Sequence, residues 1–203
     1  MCSSDLGSTR PECFVACAGR DRAWYGWRVA DSIATPRLRL LPLTPPLLRA
    51  VASGDLAQVE RQLSARVAKG WAQGVPAKLR LEQLAADSSA QPWLVRAMIA
   101  STPPRVVGCV GFHAPPDDDG RVEIGYDIVA SERRRGYARE GIRALLDWAW
   151  ATGRVRTCVA SVSPHNAPSL ALIHSFGFRH VGEQIDEIDG LELIFERRLP
   201  LGP

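Results

Sequence analysis

No stretch of this chain is apolar for the roughly 20 consecutive residues that a membrane-spanning helix needs, so a bilayer is not an expected partner. Charge of one sign is also scarce. Lysine and arginine total 25 against 22 aspartates and glutamates, a net +3 with no clustered basic face, which argues against nucleic acid as a partner. The five cysteines (Cys2, Cys13, Cys17, Cys109 and Cys158) are odd in number and lack the paired spacing of a disulfide framework or a zinc site. Cys13 and Cys17 have no second pair, while Cys109 and Cys158 sit in apolar runs and read as buried small hydrophobes. A reduced, cytoplasmic location is expected. The positively charged start, apolar run and cleavage pattern of a signal peptide are missing. His165 and His174 lack a second ligand at metal spacing, and no metal is expected.

What is present is the composition of a globular domain, 46% hydrophobic and 23% charged. Residues 1–34 stand apart. They hold no sustained period, and Cys2 to Leu6 looks like translated adapter sequence, so this segment reads as an N-terminal extension, disordered or non-native, ahead of a domain over 35–203. From Thr35 the pattern predicts a strand at 37–42, helices at 46–53, 55–68 and 77–86, and strands at 93–100, 106–113 and 121–130. The turn Pro115–Gly120 carries three aspartates and reads as a solvated hairpin tip, since it lacks the spaced oxygen ligands of a calcium loop. A helix at 137–152 follows, with Ala138, Ile142, Leu145, Leu146 and Ala149 on one face. Trp148 and Trp150 on it read as packing residues. Strand 156–162, a short helix 167–175 and a hairpin of 178–188 with 191–199 complete the order. This predicts an α/β fold with a mixed, mostly antiparallel sheet of about six to seven strands flanked by about four helices.

Two segments carry chemistry. In Ile128-Val129-Ala130-Ser131-Glu132-Arg133-Arg134-Arg135-Gly136-Tyr137-Ala138 a strand ends, a short loop turns and a helix begins. Successive main-chain N–H groups at such a helix start form an anion site. Gly136 and Ala138 let the backbone approach a phosphate, and Arg133, Arg134 and Arg135 add charge around it. One strand later, Asn166 is a natural helix cap, Pro168 fits the first turn, and Gly177 stops the helix before Phe178.

Arg133, Gly136 and Ala138 in the first segment, with Asn166, Ser169, Gly177 and Phe178 in the second, resemble the GNAT superfamily of N-acetyltransferases. Glu123-Ile124-Gly125-Tyr126 and the opening Thr35-Pro36-Arg37-Leu38-Arg39-Leu40 look like the branch that includes ribosomal-protein N-terminal alanine acetyltransferases. The resemblance spans about 35–199 and is thin between 44 and 105. Two positions depart from it: Arg134 stands where the family often has glycine, and Asp127 where this branch often has an aromatic residue. The resemblance implies acetyl-CoA as co-substrate, held by Ile128, Val129, Arg133 to Ala138 and Asn166, and an amine acceptor, in a monomer or homodimer.

The implied reaction is direct acetyl transfer from a thioester to a primary amine. Glu123 is the candidate base, acting through water; its bland alternative is a half-exposed strand carboxylate paired with Arg121. Ser169 is the candidate proton donor to the departing thiolate, with helix capping as its alternative role and Tyr126 or Tyr137 as replacements. A catalytically silent acyl-CoA-binding sensor is the competing reading. A basic RNA-associated protein is a further one, disfavoured by the weak net charge.

Overall fold

The computed structural model of the protein describes residues 32–187 and 190–202. The expectations for residues 1–31, Cys2, Cys13 and Cys17 among them, lie outside the described residues. The elements run β1 (Ile33–Ala34), β2 (Leu38–Pro42), α1 (Pro45–Ser53), α2 (Leu56–Leu63), β3 (Arg66–Val67), a 3-10 turn at Trp71–Gly74, α3 (Ala77–Ala86), β4 (Arg96–Ser101), β5 (Pro104–Phe112), β6 (Arg121–Ile128), α4 (Tyr137–Ala151), β7 (Thr157–Val162), α5 (Ala167–Ser175), β8 (Arg179–Asp186) and β9 (Gly190–Arg198). The strands form one sheet in the order β1-β2-β4-β5-β6-β7-β9-β8, with β3 beside β5. Only the β3–β5 and β6–β7 pairs are parallel.

The mixed, mostly antiparallel α/β architecture expected from the sequence is the one observed. Nine strands among the described residues exceed the expected six to seven, and five helices exceed the expected four. The extra strands, β1 and β3, are two residues each and too short to show a period. Ile33 and Ala34 pair with Leu40 and Arg39, so the sheet begins inside the segment read as an extension. Helix α2 ends at Leu63 rather than 68 because Ser64 turns left-handed at φ 51°. Strand β4 starts at Arg96, not Trp93. Residues 91–94 form a turn, and Leu94 and Val95 lie against Gly111, where a Cβ would fall 2.7 Å from the Leu94 carbonyl.

Local chemistry accounts for the main boundaries. Pro45 and Pro46 start α1, and Gly54 at φ 76° closes it. The Asp55 side chain caps α2 by accepting from Gln58 N–H. Asp117 Oδ1 accepts from the Asp119 and Arg121 N–H groups, which fixes the β5–β6 hairpin tip.

Alternation along the strands splits the core between two faces. Val122, Ile124 and Ile128 of β6 join Ile142, Leu145, Leu146 and Ala149 of α4 on one face. Cys109 of β5 joins Leu48, Val59, Leu63 and Trp71 from the α1–α3 side on the other. Trp148 packs 5.0 Å from Trp93, while Trp150 is exposed. The parallel ladder between β6 and β7 covers only Arg121–Thr157, Val122–Cys158 and Glu123–Val159. Both strands run on beyond it, so the sheet parts after Glu123, at the end where β6 leads into α4.

Candidate active site

The loop between β6 and α4 is built to expose main-chain donors. Arg134 at φ 60° and Gly136 at φ 81° turn the chain twice through the left-handed region. No side chain caps α4. Among the described residues, the N–H groups of Gly136, Tyr137 and Ala138 find no main-chain acceptor. A row of free donors at the start of a fifteen-residue helix is a strong site for a phosphate.

The loop is braced by ion pairs from distant segments. Arg37 Nη1 donates to the Arg135 carbonyl at 2.9 Å, and its Nε pairs with Glu140 at 2.6 Å. Thr35 Oγ1 donates to the same Glu140 at 2.6 Å. Burial raises the Glu140 pKa, but the Thr35 and Arg37 contacts outweigh it and hold the carboxyl below its usual range. On the other side, Arg105 forks onto buried Glu132 at 2.9 and 3.1 Å and reaches Tyr137 Oη at 3.2 Å. The Arg105 hydrogen bond is the main cause of the lowered Glu132 pKa. Tyr137, buried, is held between Arg37, 5.1 Å above its ring, and Arg105.

The three loop arginines are not equivalent. Arg133 Nε donates to the Ile128 carbonyl at 2.9 Å, and its Nη2 lies 3.8 Å from Asp127. Arg135 lies 3.4 Å from Glu132. Arg134 is exposed and forms no ion pair among the described residues, which leaves its charge available to a ligand. Ile128 and Val129 are buried, and Val129 N–H donates to the Val107 carbonyl, tying the strand end to β5.

The candidate catalytic groups lie on either side of the parted strands. Glu123 is half-buried, 3.6 Å from His113 Nδ1. Its pKa is lowered first by His113 and then by Ser161 of β7, against the opposing effect of burial. Gln184 Nε2 donates to Ser161 Oγ at 3.3 Å and to Glu192 at 2.9 Å, which extends the polar cluster to the last hairpin. Arg121 pairs with Glu196, not with Glu123. Asn166 Oδ1 accepts from Ser169 N–H at 3.2 Å and so caps α5. The Ser169 side chain approaches Tyr126 closely enough to oppose the rise that burial imposes on the phenol, but outside good hydrogen-bond geometry. The Tyr126 hydroxyl is buried with no partner among the described residues.

A cavity of about 170 Å³ opens on the α3 side, lined by Gly74, Arg80, Cys109, His113, Gly125 and Asp127, with four further residues. At two of these positions a Cβ would push a lining side chain aside. A Cβ on Gly125 would fall 2.7 Å from His113 Nε2, and one on Gly74 2.5 Å from Asp127 Oδ2. Cys109 is no nucleophile, since burial pushes its thiol up to about 12. Among the described residues no cluster of His, Cys, Asp and Glu could hold a metal ion.

Residues 37–179 match the Acetyltransferase (GNAT) domain. The chain belongs to the GNAT acetyltransferase family. It is 31% identical over 86 residues to the uncharacterized N-acetyltransferase p20 of Bacillus licheniformis, covering 42% of this chain and 48% of that one. It is 34% identical over 73 residues to the uncharacterized N-acetyltransferase YjdG of Bacillus subtilis, covering 36% and 44%. The matched stretch thus spans about half the length of these relatives. The fold resembles the ribosomal-protein-S5-alanine acetyltransferase of Vibrio fischeri, at TM-score 0.58 and 14% identity over 82% of this chain and 96% of that one. It also resembles RimJ of Mycobacterium smegmatis, solved with CoA-disulfide, at TM-score 0.54 and 19% identity over 79% and 81%. Within a GNAT domain, Arg37, Thr35, Arg105 and Glu140 gain a role that sequence reasoning missed. They brace the loop through pairs up to 105 residues apart, and no local signal marks them.

Proposed function

We propose that this chain transfers an acetyl group from acetyl-CoA directly to a primary amine, either a protein N-terminus or a small molecule. The observation that carries this reading is the row of unclaimed N–H groups from Gly136 to Ala138, next to the point where β6 and β7 part. The donors suit the diphosphate of CoA, with Arg134 adding charge, and the parted strands leave edge groups for its extended arm. Acetyl-CoA supplies the thioester. The chain's own work is to orient the two reactants and manage two protons.

Glu123 takes a proton from the incoming ammonium, directly or through water, so that the nitrogen lone pair can attack the thioester carbonyl. The new C–N bond forms, the C–S bond breaks, and Ser169 protonates the leaving thiolate, with the Tyr126 phenol close behind it. The free thiols of Cys109 and Cys158 support a reducing, cytoplasmic setting. No helix among the described residues is long and apolar enough to cross a membrane. Acetyl-CoA and an amine are the expected partners of a monomer or homodimer.

Thiol release from acetyl-CoA, followed across a panel of free amines and short peptides, tests the reading. Amine-dependent release supports it. Saturable acetyl-CoA binding with no release on any amine would replace it with an acyl-CoA sensor.

A further inference from the structure

Arg80 is a buried cation without a counter-charge. Its residue is 6% exposed, and no carboxylate among the described residues lies within ion-pair distance of it. One corner of the guanidinium is committed: Nη1 donates to Gln83 Oε1 at 2.7 Å and to the His113 carbonyl at 2.8 Å. Its Nε is shut off by packing, with no acceptor among the described residues, whereas Nη2 donates none of the hydrogen bonds found there and is not shut off. Nη2 is thus the open corner, and a charged N–H donor there makes a strong hydrogen bond to a carboxylate. A buried, unpaired charge is costly, and chains retain one where something else completes it.

The side chain also lines the 170 Å³ cavity, with Asp127 and the His113 imidazole on its walls. His113 contacts Glu123, so the cavity adjoins the candidate base. A space of this size, equal to about five or six waters, suits a small polar molecule rather than a long side chain. It carries a negative group at Asp127 and a positive one at Arg80, the pattern complementary to a molecule that is itself an ammonium and a carboxylate.

We infer that the amine acceptor bears a carboxylate, and that Arg80 binds it through Nη2 while the amine faces Glu123 and Asp127. The inference rests on the N-acetyltransferase reading and narrows its substrate class to amino carboxylates. The carboxylate belongs either to a free amino acid or to an acidic residue at a peptide N-terminus.

The test compares matched acceptors. Alanine is set against alaninamide, and an Asp-initiated tripeptide against its Asn counterpart, with kcat/KM read from thiol release. The carboxylate member of at least one pair should be favoured by about tenfold or more, chiefly through KM. Preference within the first pair identifies a free amino acid, and within the second an acidic peptide terminus. In Arg80→Gln the favoured ratio should fall toward one, and Arg80→Lys should restore part of it. Calorimetry with alanine and with the Asp tripeptide, in the presence of CoA, gives a reading independent of turnover. Binding of one of them should be lost in Arg80→Gln. Equal rates within both pairs, a preference that survives in Arg80→Gln, or binding unaffected by that change would overturn the inference. Should Arg80→Gln fail to fold, equality within the pairs for the unaltered protein still overturns it. Failure of the underlying reading looks different: no acceptor of any kind would then release thiol.

Discussion

Glu123 is surrounded by groups that favour its charged form, His113 first and Ser161 second, so its carboxyl ionises below the ordinary 4.5 and is fully charged at neutral pH. A base held this acidic accepts a proton weakly, and its help is largest when the amine arrives protonated. Glu123→Gln should therefore lower turnover by about 10²-fold near neutral pH, the low end for general acid–base help, and alkaline solution should restore part of it by supplying free amine. Ser169→Ala acts on the departing thiolate and should show no alkaline recovery. The pH profiles of both variants check this, and near-normal neutral turnover in Glu123→Gln would make the residue structural. Tyr126 offers a separate check. Its hydroxyl is buried with no partner among the described residues, so Tyr126→Phe should leave the midpoint of thermal unfolding unchanged or raised. A fall would show that the hydroxyl is satisfied in solution, for example by an ordered water.

At the scale of elements, the β6–loop–α4 unit concentrates the candidate anion site and the left-handed backbone. Gly136 sits at φ 81° with Arg37 Nη2 only 3.2 Å from where its Cβ would be. Gly136→Asp and Gly136→Asn introduce similar bulk and backbone strain but differ by a charge. The Asp variant should lose at least about tenfold in CoA affinity, roughly 1.4 kcal/mol, and the Asn variant clearly less, as read by equilibrium binding. Equal losses would mean that shape alone, not an anion, governs the loop. This unit was also the most legible in the sequence. The helical period of Ile142, Leu145, Leu146 and Ala149 and the break chemistry before it are local signals, as is the Asn166 cap of α5. The 64–74 stretch was not legible, because Ser64 turns left-handed and Trp71 is buried by a bond from its Nε1 to the Gly108 carbonyl, both decided by the rest of the fold. Arg80 in the run AKLRLEQLAA has the look of a solvated helix residue; only the three-dimensional packing reveals its burial. The pairs Arg37–Glu140 and Arg105–Glu132 join positions too distant for any spacing rule.

For the whole molecule, one sheet separates two cores, and carboxylates held in their charged form fasten the first strands and β5 to the β6–α4 loop. Glu140 ties Thr35 and Arg37 to α4, and Glu132 ties Arg105 to the loop. Their importance can be read by truncation. A chain starting at Ser32 keeps the Ile33–Leu40 and Ala34–Arg39 pairs and the Thr35 contacts. One starting at Arg37 loses them all and should melt lower, at about 2–4 °C for each kcal/mol lost. Acid provides the second reading, and its sign follows from the pKa directions. Glu132 and Glu140 both titrate below the ordinary 4.5 in the folded protein. A depressed folded pKa contributes stability that is fully present above the unfolded value and disappears as pH falls through the folded one. The urea midpoint should thus hold steady from neutral pH down to about 5 and fall below the ordinary carboxylate value. Replacing both residues by glutamine should lower the plateau and flatten the acid fall. If the doubly altered protein lost stability below pH 4.5 as steeply as the parent, the acid sensitivity would belong to other carboxylates and the bracing pairs would contribute little to the fold.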